Sequence, residues 1–260
     1  EEQREKKKGA NDPKALDQYT AEHPFTPQEA TLQVTANLFD VTSLKEQYNK
    51  IKANDLQSEG TAGIMYYNKD GKASFRPSAD VTPVFKFPHR KGDKTEGAVV
   101  IYQAPYRTAQ EEVPHNLYVI CHDPYAQSKS TNNESLGAAY VIKRPNNLSK
   151  PDDIIVASYV GRPQTQDEYN RNLFMLAEYY NAKIGFENDR GELIAYAKRY
   201  RKLHKLQEEF EMLDKRELRS RNVKRQYGMH MTEQRKRQGE LYIRVWLITP
   251  RHSDEDGNVT

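Results

Sequence analysis

The chain has 260 residues, enough for one large domain or a domain with an appendage, and enough to bury a core without disulfides or a structural metal. Lys and Arg number 40 against 37 Asp and Glu, so the net charge of +3 is too small to select a partner and its distribution decides; much of the basic excess lies between residues 198 and 237. The single cysteine, Cys121, excludes a disulfide framework and points to a reducing compartment, and neither a membrane-length apolar run nor a secretory signal is present, so a soluble intracellular protein is expected.

The charged opening, residues 1–8, reads as a solvated helix end or tail, and Asn11-Asp12-Pro13 as a turn. Thr26-Pro27-Gln28-Glu29 predicts a helix start: Thr26 accepts from exposed N–H groups, Pro27 suits the first helical position and Glu29 favours the positive end. Ser43-Leu44-Lys45-Glu46 is a capping box that opens a second helix toward Lys52. Neither a GxxxxGK[ST] phosphate loop nor a GxGxxG turn occurs, so the chain carries no recognisable nucleotide-hydrolysing core.

From Gly60 the pattern changes to short strands. Residues 63–67 and 73–76 predict a hairpin about Asn68-Lys69-Asp70-Gly71, where the Asp-Gly pair suits a tight turn, and 84–87 and 98–103 predict two further strands. This block reads as an entry sheet beside the main domain or as a small β subdomain.

Residues 117–123, Leu-Tyr-Val-Ile-Cys-His-Asp before Pro124, predict a buried strand that delivers Asp123 to its C-terminal edge, where open α/β sheets keep their ligands. A polar loop follows, then a small-residue strand at 136–142, a turn at 146–151 and a strand at 154–160 ending at Gly161; such short connections favour antiparallel pairing. Thr165 caps a helix in which Tyr169, Leu173, Leu176, Ala177 and Tyr180 form one apolar stripe. The helix leads into 183–187, a strand ending in Glu187 that a crossover makes parallel to the first. A further helix begins near Glu192. Lys198, Arg199, Arg201 and Lys202 form a basic cluster, 216–225 another, and Arg235-Lys236-Arg237-Gln238-Gly239 reads as a tight turn before a last strand at 240–248.

Three meandering strands, a helix and a parallel fourth strand, with acids ending strands one and four, resemble the ribonuclease H-like nucleases. Cys121-His122-Asp123-Pro124-Tyr125, Ser135-Leu136-Gly137-Ala138-Ala139-Tyr140, Tyr159-Val160-Gly161-Arg162-Pro163 and Gly185-Phe186-Glu187-Asn188-Asp189-Arg190-Gly191 resemble, in that order, the C-terminal nuclease domain of phage large terminase subunits. The segment 12–30 is similar to the stretch that follows the ATPase core in that family. The resemblance implies a helical region at 1–59 after an ATPase core outside this chain, and a nuclease domain at 60–260 whose first part, 60–115, is the β block. It further implies double-stranded DNA as substrate, portal and small terminase subunits as partners, and the cytoplasm of a phage-infected or prophage-carrying bacterium as the location.

The chemistry follows from the acids. Phosphodiester cleavage needs charge stabilised on the attacking and leaving oxygens, and two divalent ions about 3.5–4 Å apart do this when carboxylates bridge them. Hard oxygen ligands suit Mg²⁺ or Mn²⁺. Asp123 is then the bridging ligand and Glu187 a ligand to one ion. The family pattern asks for a third acid late in the domain; Asp254 and Asp256 sit beside Gly257-Asn258 in a turn, so the third ligand is expected in a segment beyond this chain.

Plainer readings compete at each position. Asp123 alone, before a proline, reads as a turn residue, and only its pairing with Glu187 makes it a ligand. Asp189 reads as a helix-start acid, His122 as a core group or as one that supports a ligand from behind, and Cys121 as buried packing; His115, His204 and His230 show no ligand spacing. The basic residues Lys198, Arg199, Arg201, Lys202, Arg235, Lys236 and Arg237 read either as solvated helix faces or as contacts to the DNA backbone. Two other functions stay open: a non-catalytic DNA-binding or docking module of a packaging motor, and a resolvase- or transposase-type nuclease.

Overall fold

A computed structural model describes residues 2–8, 15–25, 39, 41–53, 60–85, 92–125, 135–188, 192–209 and 227–249. The chain forms two compact units, Glu1–Glu59 with Thr232–Thr260, and Gly60–Met231.

The larger unit is built on a mixed sheet of seven strands: β1 (Thr61–Tyr67), β2 (Ala73–Pro77), β3 (Ala98–Ile101), β4 (Tyr118–Asp123), β5 (Gly137–Lys143), β6 (Ile154–Gly161) and β7 (Lys183–Phe186). Their order across the sheet is β2-β1-β3-β6-β5-β4-β7. Every neighbour pair is antiparallel except β4 with β7, which run parallel. The parallel pair needs a crossover, and the helix Gln166–Tyr179 supplies it. Strands 61–77 and 98–101 therefore extend the main sheet, through β3 against β6, and are neither a separate entry sheet nor a subdomain. That pairing is non-local, and the hairpin's own sequence carries no sign of it.

The crossover helix starts where its sequence predicts. Thr165 is extended and its hydroxyl accepts from the Glu168 N–H at 3.1 Å, with Asp167 and Glu168 in the positive first turn. Tyr169, Leu173, Phe174, Met175, Leu176 and Ala177 are buried in one core with Ile120, Val141, Val156, Ala157, Tyr159 and Ile184 of the sheet. Its last turn is stitched to the sheet by the Tyr180 hydroxyl, which donates to the Gln103 carbonyl at 2.6 Å.

A second helix, Glu192–Arg199, packs on the first, with the Phe174 and Tyr196 rings stacked 5.4 Å apart. Beyond it, two short segments lie along the outer edge of β7. Gln207 N–H donates to the Ile184 carbonyl, and Met229 N–H donates to the Phe186 carbonyl, each at 2.8 Å. They cover an edge that would otherwise present unpaired backbone.

Two expected strands are not formed by the described residues, with 86 and 87 outside them. Val84 and Phe85 are irregular, between Pro83 and Pro88, which cannot donate to a ladder. Residues 240–248 are not a strand but the second half of a helix, Glu233–Ile248, so Arg235, Lys236, Arg237 and Gly239 lie inside that helix and not in a turn. Thr232 nucleates it by accepting from the Arg235 N–H at 3.3 Å, and strong helix formers follow. The aromatic and β-branched residues after Gly239 cost only tenths of a kcal/mol each in a helix, roughly, so the cap decides.

This helix belongs to the smaller unit, and the larger unit spans Gly60–Met231. The smaller unit also holds Glu2–Lys8, Ala15–Glu22 and Val41–Ala53. The last begins two residues before Ser43, which sits in its first turn and is not its cap. The helix expected from Thr26, the cluster at 216–225, Asp189, Asp254 and Asp256 lie outside the described residues.

Candidate functional site

The ladder registers place the two predicted acids side by side. β4 and β7 pair Ile120 with Ile184, Cys121 with Gly185 and His122 with Phe186. One step past the last paired residues come Asp123, the last residue of β4, and Glu187, which directly follows β7 and bridges Met229. On the other side Asp123 pairs with Ala138, and Ala138 with Val160. Glu187, Asp123, Ala138 and Val160 thus form one row across the C-terminal ends of β7, β4 and β6.

Alternation decides which face this row uses. Tyr118 meets the Tyr180 ring at 5.0 Å and His122 stacks on Tyr169 at 5.5 Å, so the even positions of β4 face the crossover helix. Val119, Cys121 and Asp123 face the other way. Cys121 is accordingly exposed and not buried packing. The apolar run around it hides the alternation, because its neighbours on both faces are apolar.

His122 is a core group. It is 6% exposed, and its Nδ1 lies 3.1 Å from the Ala138 carbonyl oxygen. A carbonyl only accepts, so the imidazole carries its proton on Nδ1. Burial lowers its pKa to about 4, although the hydrogen bond pulls the other way, so the ring is neutral at pH 7. It faces away from the row that holds Asp123.

Glu187 is framed from the outer side. The Asn188 N–H donates to the Met229 carbonyl at 2.8 Å, and Asn188 Nδ2 donates to the Tyr227 carbonyl at 2.8 Å. Gly228 between them has φ +74°, and a Cβ there would lie 2.7 Å from the Phe186 ring. Only glycine meets both conditions without strain. Tyr227-Gly228-Met229 thus packs beside Glu187, which the local sequence does not announce; a glycine between two large apolar residues is its one available sign.

Carboxylates brought together at one sheet edge repel each other unless positive charge or hydrogen-bond donors compensate them. Carboxylate oxygens are the hard donors that Mg²⁺ and Mn²⁺ prefer, so these are the two residues here that could hold such an ion. No group of three or more His, Cys, Asp or Glu side chains that could hold a metal occurs among the described residues.

The basic residues are not gathered at this row. Lys202 Nζ donates to the Tyr67 hydroxyl and to Glu178 Oε1, both at 2.6 Å, on the face covered by the crossover helix. Arg199 pairs with Asp167 at 2.9 Å in solvent. Lys198 and Arg201 are exposed, Arg201 with φ 57°. Arg235, Lys236 and Arg237 belong to the other unit. No family model, no curated protein and no solved structure matches the chain.

Proposed function

We propose that the chain is the nuclease part of a terminase-type DNA-packaging protein, a metal-dependent endonuclease of ribonuclease H-like fold that cuts double-stranded DNA. One observation carries the reading: Asp123 ends β4 and Glu187 directly follows β7, each one position past His122 and Phe186, the last paired residues of two adjacent parallel strands. The order β6-β5-β4-β7, antiparallel twice and then parallel, supports the fold assignment, and the four motifs named above support the family.

Asp123 and Glu187 would hold the ion, Mg²⁺ or Mn²⁺, which when bound supplies a water of lowered pKa and charge stabilisation at the cleaved phosphate. The chain's own part is to hold both oxygens at one sheet edge, with rigid strands behind them and His122 kept neutral beneath. A third carboxylate would come from outside the described residues. The ATPase core, the portal and the small subunit enter as partners through the same family reading, as does the host cytoplasm. No helix among the described residues is long and apolar enough to cross a membrane.

The test is nicking of supercoiled plasmid by the chain with Mn²⁺, with Mg²⁺ and with EDTA, beside Asp123→Ala and Glu187→Ala. Metal-dependent nicking that falls to background in both variants is the expected result. Equal nicking by the two variants and the parent overturns the assignment. A second reading, a DNA-binding module that does not cut, is favoured by the exposed Lys198 and Arg201. It predicts salt-sensitive binding and no nicking even when an additional C-terminal segment is supplied.

A further inference from the structure

Asp123 is the last residue of β4, and its pairing with Ala138 is the last step of that ladder. Beyond it the ladder no longer holds the backbone in place. The described ends of the β4–β5 connection, Tyr125 and Ser135, are instead held from the turn between β6 and the crossover helix. Arg162 Nη1 donates to the Ser135 carbonyl at 2.7 Å, and the same guanidinium lies 5.0 Å from the centre of the Tyr125 ring. Gln166 Nε2 donates to the Tyr125 carbonyl at 3.1 Å.

The ring between these holds is wedged. Tyr125 is 2% exposed and meets Tyr169 edge-on at 5.3 Å. The space exists because residue 137 is glycine: a Cβ there would come within 2.8 Å of Tyr125 and 2.6 Å of Tyr169. Tyr125 is two residues past Asp123, and Ser135 is three residues before Ala138, its partner. One side chain, Arg162, therefore ties both strands of the Asp123 pair together just past the end of their ladder.

We infer that Arg162, acting through Tyr125 and Ser135 and assisted by Gln166, is a positioning residue for the Asp123 carboxylate. The inference rests on the reading of Asp123 and Glu187 as a divalent-cation site. The planar guanidinium is suited to the task because it donates in its plane to a carbonyl and offers its flat face to an aromatic ring. A lysine keeps the charge and loses that combination. Residues that orient a metal ligand without touching the metal typically change affinity by about 10- to 100-fold when altered.

The experiment is Mn²⁺ binding to the full chain, read from the free-ion electron paramagnetic resonance signal, with thermal unfolding measured alongside. The parent is compared with Asp123→Ala, Arg162→Gln, Arg162→Lys, Gln166→Ala and, as a control, the exposed Arg171→Gln. Expected are loss of the site in Asp123→Ala, affinity weakened about 10-fold or more in Arg162→Gln and nearly as much in Arg162→Lys, a smaller loss in Gln166→Ala, and parent affinity in the control. Should Arg162→Gln unfold, Arg162→Lys and Gln166→Ala carry the test. Parent-like Mn²⁺ affinity in the folded Arg162 and Gln166 variants, with binding still lost in Asp123→Ala, overturns the inference and leaves the metal site standing. A parent that shows no Mn²⁺ binding sensitive to Asp123→Ala overturns the metal site, and the inference with it. Weakened DNA binding with unchanged Mn²⁺ affinity also overturns it, since Arg162 would then touch phosphate.

Discussion

His122 shows how one side chain sets a pH limit on the fold. Its folded pKa of about 4 lies below the ordinary value of 6.5, so between these pH values the unfolded chain binds a proton that the folded chain does not. Stability from this group is complete above pH 6.5 and is lost as pH falls toward 4, by about 3 kcal/mol at the lower end. Urea unfolding of the parent and of His122→Phe at pH 7, 5.5 and 4.5 checks this. The difference between the two should narrow as pH falls; a constant difference would mean the ring is not buried neutral. Gly228 makes a second test at this scale. An alanine there combines positive φ with a contact to Phe186, and should cost about 2 kcal/mol in urea unfolding. If Gly228→Ala proves neutral, the Tyr227–Met229 segment does not lie where the frame around Glu187 requires.

The crossover helix is the element on which the larger unit depends. Its cap, stripe and end were legible because each is local: Thr165 three residues before Glu168, apolar residues at helical spacing, and a tyrosine closing the last turn. Thr165→Ala should cost about 1 kcal/mol and Leu173→Ala, from a fully buried site, about 3 kcal/mol in equilibrium unfolding. The helix of the smaller unit, Glu233–Ile248, was not legible, because a run of Tyr, Ile, Val and Trp suits a strand or a helix and the cap upstream of it chose. The partners of Lys202 were not legible for a related reason. Its charge suggested solvent or phosphate, yet it bridges Tyr67 and Glu178, residues more than 20 positions away. Lys202→Met should lower stability by about 1 kcal/mol, an estimate kept small because the pair is only partly shielded from water.

For the whole molecule, the charge distribution separates binding from cutting. Lys198 and Arg201 belong to the basic cluster whose Lys202 member packs on the helix-covered face, whereas Asp123 and Glu187 use the opposite face. If the cluster touches DNA, Lys198→Gln with Arg201→Gln should weaken binding uniformly across sequences and reduce the salt slope by about 2, measured by fluorescence anisotropy over a salt series. An unchanged slope assigns these residues to solvent. Loss of nicking in Asp123→Ala with unchanged DNA affinity would show the two faces acting separately.

The sequence by itself determined the identities of the central elements. Strands β4 to β7, the crossover helix, the parallel direction of β7 and the placement of Asp123 and Glu187 at strand ends all follow from local patterns: alternation, caps and loop length. What only the tertiary structure decided was non-local. It joined β1 to β3 to the main sheet, laid Tyr227-Gly228-Met229 beside Glu187, turned Cys121 outward and His122 inward, and set Lys202 on the face opposite the acids. The physical reason is that a strand's pattern specifies two faces without saying which partner covers each. That choice is made by side chains distant in sequence, through burial energies that no single segment contains.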